Sequence, residues 1–210
     1  MAKPFLFVAT FLLYTVSGLS AQTLDTDALR AYHPSTVREV FDVSRHVKLD
    51  AAQQQKLASA FEREDSAFVA RVEADGGILS VRGSRELQKM HERAIADVLD
   101  IDQLEQYYRG VFDKEADAEG NAIANRLQKK YDLTDQNWKF IRIAFYKIGL
   151  ESRVINKLLA DQPAKARKKI EALRTEMLAS IEAKGGIRVN PEGTTVTVVK
   201  PFDPNALHKE

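Results

Sequence analysis

Cysteine is absent from the 210 residues. That excludes disulfide staples, thiolate metal sites and a lipid-modified cysteine, so the fold must be held by its core. No Asn-x-Ser/Thr glycosylation acceptor occurs either. Beyond the first twenty residues no apolar run approaches the ~20 residues needed to span a bilayer.

Catalytic and ligand signatures are missing as well. The four histidines, His33, His46, His91 and His208, include no pair at the i, i+4 spacing that would put two ligands on one helix face. Glu62, Glu64 and Asp65, or Glu115, Asp117 and Glu119, fall where a solvated helix face puts carboxylates, and nothing singles out an acid/base couple. There is no Gly-rich phosphate loop, no Gly-x-Ser-x-Gly elbow and no cofactor fingerprint. The expectation is therefore a protein that binds rather than an enzyme, with no catalytic residue, no metal and no cofactor.

What is present begins with Lys3, followed by the apolar run Phe5 to Val16 and the small residues Ser17-Gly18-Leu19-Ser20-Ala21. That order reads as a cleaved secretory signal over residues 1–21, giving a periplasmic or secreted product of just under 190 residues, long enough to bury a core. Charge is unevenly placed along that product. Residues 22–125 hold 13 Lys/Arg against 20 Asp/Glu, whereas residues 126–174 hold 13 against 5. Either the halves attract each other within one fold, or the basic block faces a partner.

Apolar residues recur at helical spacing through most of the chain. After a flexible leader at 22–34, Thr36-x-x-Glu39 suits a capping box and starts a helix to about Arg45. Leu57, Phe61, Phe68 and Val72 mark a helix from Asp50 to Ala74, and Ser84 caps the next, with Leu87, Met90 and Ile95. A helix capped by Asp100 follows, whose propensity Gly110 and Gly120 lower, leaving room for a bend or break between them. Thr134 caps the most apolar helix, and Pro163 opens the last, which Gly185-Gly186 ends. The reading is all-α: one domain of five or six amphipathic helices over 35–186. A β-rich tail at 187–210 forms a small hairpin, and residues 78–81 are a candidate third strand.

One unit recurs at three helix starts: Leu49-Asp50-Ala51-Ala52-Gln53, Leu99-Asp100-Ile101-Asp102-Gln103 and Leu133-Thr134-Asp135-Gln136-Asn137. Asp50, Asp100 and Thr134 suit an N-cap, and Gln53, Gln103 and Asn137 sit where an amide can reach back to the cap's own N–H. Leu49, Leu99 and Leu133 precede the caps. This unit resembles the LTxxQ motif of the Spy/CpxP-like periplasmic proteins, chiefly over residues 45–150. The first two copies carry aspartate for threonine, and the third has its glutamine one position early. The resemblance implies an exported, ATP-independent chaperone-like or envelope-stress accessory protein that holds polypeptide clients, with a homodimer as the family's form.

The helix after Thr134 carries an apolar arc too wide for one core face, flanked by cations. Lys139, Phe140, Arg142, Ile143, Tyr146 and Arg153 are the expected client-binding residues, the cations steering acidic clients and the apolar groups burying them. Reversing Arg142 and Arg153 to glutamate is expected to weaken binding without unfolding. Nucleic acid is not an expected partner, whereas an anionic membrane surface is a candidate peripheral contact. The rival reading is an envelope adaptor that uses the same surface for one dedicated protein partner.

Overall fold

The computed structural model describes residues 24–199. The expected signal at 1–21 and the end of the tail lie outside the described residues. In chain order come α1 (Thr26–Leu29), α2 (Pro34–Ser44), α3 (Ala51–Ala74), α4 (Val81–Ala96), α5 (Ile101–Tyr131), α6 (Asp135–Leu158) and α7 (Pro163–Gly185), then β1 (Ile187–Val189) and β2 (Val196–Val198). Among the described residues the fold is all-α with a C-terminal antiparallel hairpin: α2 to α7 are the six helices of the expected domain, and α1 is added in the leader.

Side-chain acceptors fix where these helices begin. Asp50 and Asp100 each accept the backbone N–H of the glutamine three residues on, and each glutamine accepts the N-cap N–H in return, closing two capping boxes. Thr134 accepts from Asn137 N at 3.2 Å to start α6. Two starts differ from expectation. α4 opens at Val81 under Ser80, whose hydroxyl takes the Gly83 N–H at 3.0 Å, so Ser84 lies inside the helix. α2 opens at Pro34 with His33 as cap, because the proline's fixed φ suits a first turn, and Thr36 is buried instead.

Three further expectations are corrected. The leader is not loose from residue 24 onward: α1 forms under Asp25, Leu29 is buried, and Tyr32 packs against the same cluster. α5 does not break between its glycines but runs as one helix from Ile101 to Tyr131. Both are close-approach points, where the His46 ring lies on Gly110 and the α6 backbone lies on Gly120. Residues 78–80 are the turn between α3 and α4 rather than a strand, since Asp75 accepts the Ser80 N–H at 2.9 Å and draws the chain into the next helix start. The hairpin is thus two-stranded, with Ile187 opposite Val198 and Val189 opposite Val196. It is supported by burying Ile187 and Val189 against α5, α6 and α7.

Apolar packing falls into three clusters. Leu29, Val40, Val43, Leu49, Leu57, Phe61, Ile95 and Leu99 form the N-terminal one. Ile123, Leu127, Ile141, Phe145, Ile148 and Ile181 form the C-terminal one with the hairpin. Between them Tyr108, Ala116, Leu150 and Val154 join α5 to α6, with Leu104 and Tyr107 touching both this cluster and the first. α5, about 45 Å long at 1.5 Å per residue, is the rod that all three share.

Candidate binding surface

The first two motif copies meet face to face. Gln53 Nε2 donates to Gln103 Oε1 at 2.7 Å and to the Val98 carbonyl at 3.2 Å, while Gln103 Nε2 donates to the Lys48 carbonyl at 2.8 Å. Val98 and Lys48 are equivalent positions, each one residue before the motif leucine, so the joint is a local two-fold clasp. Leu49 and Leu99 are buried beneath it. The third copy makes no such joint: Leu133 is half-buried, and the Asn137 amide lies against Gly185. These residues tie helix starts together and present no reactive group.

The surface expected on α6 is largely an interface with α5. Arg142 donates to Asn121 Oδ1 at 2.8 Å and Asp117 Oδ1 at 2.5 Å. The Tyr146 hydroxyl donates to Asp113 Oδ1 at 2.6 Å, and that bond together with burial pushes the phenol up to about 12. Arg153 reaches Glu115 and Glu119, Arg109 bridges Glu105 and Glu151, and Lys157 reaches Glu92. The acidic front half and the basic block therefore attract each other within the fold. Reversing Arg142 and Arg153 would therefore remove ion pairs between α5 and α6 and set each glutamate against the α5 carboxylates. Lys139, Phe140 and Ile143 stay toward solvent, the last two lining a cleft with Met177 and Ile181 of α7.

A different surface is left uncovered. From Glu62 through Ala94, the distal parts of α3 and α4 and their turn, Gly83 is the only buried residue. This arm carries Phe68, Val69, Ile78, Val81 and Met90 exposed, with Ile78 and Val81 at 81% and 72%. At its root, a groove of about 740 Å³ runs between α3 and α4 with Ala60, Ala94, Val98 and Met90 as apolar lining and Lys56, Arg63 and Arg93 as cations. The root is pinned by His91, which stacks on Phe61 with ring centroids 5.0 Å apart and bonds Glu64 Oε2 at 2.9 Å. Burial pushes the Glu64 carboxyl up against the opposing pull of that bond, and burial with nearby Asp65 pushes Glu39 up.

Sequence periodicity assigned Phe68, Val72 and Met90 to a core face and so missed the arm. A signal was nonetheless present: charges crowd 62–73 and 82–93, leaving too thin an apolar stripe for two helices to bury anything between them.

No family model, curated protein or solved structure matches the chain. Among the described residues no group of His, Asp and Glu is placed to hold a metal, and no helix is long and apolar enough to cross a membrane.

Proposed function

We propose that this protein is an ATP-independent, chaperone-like or envelope-stress accessory protein that holds polypeptide segments along the α3–α4 arm, working in the periplasm or outside the cell. The observation carrying this reading is an arm of some thirty residues with five large apolar side chains in solvent and almost nothing buried within it. Two helices in that state leave apolar surface whose cover gains ~25 cal/mol per Å². The groove at the root supports the same occupant, since its apolar lining accepts side chains, while Lys56, Arg63 and Arg93 beside Glu64 and Asp97 offer polar partners of both signs. The motif resemblance points to the same class of protein.

Light scattering of two unrelated aggregating polypeptides, without nucleotide, tests this reading. The wild-type protein should suppress both at near-stoichiometric amounts. The variant Phe68→Ser, Ile78→Ser, Val81→Ser should keep its circular dichroism and lose most of the suppression. Indifference of the wild type to both polypeptides would remove the reading and favour a single dedicated partner on the same arm.

A further inference from the structure

The cations of α5 and α6 that lie partly buried are matched to carboxylates, but those opening α7 are not. Lys165, Arg167, Lys168, Lys169 and Arg174 form no ion pair among the described residues, with Glu171 the one carboxylate among them. Lys165, in the first turn of α7, also opposes the helix dipole.

Two of these charges, Arg167 and Arg174, face a cavity of about 410 Å³ at the corner where α6 meets α7. Arg167 and Arg174 line it from α7, Asn156 lines it from α6, and Leu159, Ala166 and Ile170 supply apolar surface. Glu171 stands at the same wall, leaving the two guanidinium groups in excess. The Nε of Arg174 is buried and has no hydrogen-bond partner. One turn before Asn156, the Ser152 hydroxyl is likewise buried and unpartnered. An unpaired buried guanidinium nitrogen is destabilising, and of these two groups it is Arg174 that lines the cavity. A guanidinium fork matches the oxygens of a tetrahedral anion, which two such groups can hold together.

We infer that the α6–α7 corner is a binding site for a phosphate group, held by Arg167 and Arg174 and oriented by Asn156. The group is carried either by a small molecule or by a lipid headgroup. The site is remote in sequence from the arm, and its test does not depend on polypeptide binding.

Two probes separate the sources: inorganic phosphate titrated by calorimetry at constant ionic strength, and flotation with phosphatidylcholine vesicles with and without phosphatidylglycerol. Saturable phosphate binding, weakened at least tenfold in Arg174→Gln and in the exposed Arg167→Gln but unchanged in Lys184→Gln at the far end of α7, supports a small-molecule phosphate. No phosphate binding, but flotation that needs phosphatidylglycerol and is lost in the two arginine variants alone, supports the headgroup. Absence of both kinds of binding overturns the site, as does equal loss in Lys184→Gln, which would mark a diffuse cationic face. Circular dichroism of each variant guards against loss through unfolding, and Arg167→Gln keeps the test valid if Arg174→Gln does not fold.

Discussion

A β-carbon on Gly120 would lie 2.8 Å from the Arg142 carbonyl oxygen and 2.9 Å from Tyr146 N, both backbone atoms of α6 that cannot swing aside. Gly120→Ala should therefore force α5 and α6 apart and destabilise the protein by about 1–3 kcal/mol in denaturant unfolding. Gly149→Ala is the contrast. Its nearest neighbours, Glu119 Oε2 at 3.0 Å and Arg153 Nη1 at 3.1 Å, are flexible side-chain ends, and alanine's helix propensity offsets their displacement, so the change should be near neutral. Equal costs at the two positions would show that helix–helix distance is not what Gly120 controls. Tyrosine ionisation offers a second test at this scale. Burial pushes Tyr107 up to about 12, and the Asp113 bond does the same for Tyr146, against an ordinary 10.0. The native state thus holds protons that the unfolded chain has released. The stability this contributes is complete below pH 10 and is lost as pH rises through about 12. Burial pushes Tyr108 up as well, so absorbance titration should find three late phenols among the described tyrosines, and Tyr107→Phe should flatten the loss of stability across that window.

At the scale of elements, the α3–α4 arm stands apart because it is anchored at one end only. Phe61, Ile95, the His91–Glu64 bond and the glutamine clasp hold its root, while the stretch beyond lacks a core of its own. Local opening then exposes little new apolar surface and costs little. Hydrogen exchange in the free protein should be fastest between residues 62 and 94, well ahead of α5 between Ala116 and Leu127, and a bound polypeptide should slow it. Arm amides as protected as those of α5 would mean that this hairpin is already covered. The helix starts at Asp50, Asp100 and Thr134 were legible from sequence, because a cap is a contact between residues three apart. The start of α4 was not, because Ser80 and Ser84 are equally good acceptors and only the Asp75–Ser80 bond, part of the turn's own geometry, chooses between them.

For the whole molecule, α5 couples the N-terminal and C-terminal clusters through the small joint of Tyr108, Ala116, Leu150 and Val154. Trp138, the sole tryptophan, packs with the C-terminal cluster and reports on that side alone, whereas circular dichroism sees every helix. In the wild type the two signals should change together on unfolding. Leu150→Ala should cost about 2–5 kcal/mol and, by loosening the joint, pull the fluorescence and dichroism transitions apart. Coincident transitions in that variant would show that the clusters are coupled by another route.

Local chemistry in the sequence was enough to determine the helical class, most helix ends and the closing hairpin, since caps, glycine stops and apolar periodicity act over a few residues. It also held an acidic half and a basic block, but not their relation. Whether Arg142 and Arg153 face a partner or the carboxylates of α5 depends on distances between residues more than twenty positions apart, and only the packing of α5 on α6 decides it. The same holds for the exposed face of the arm and the unmatched cations of α7. Each is defined by what the rest of the described residues do not reach, and that is a property of the tertiary structure alone.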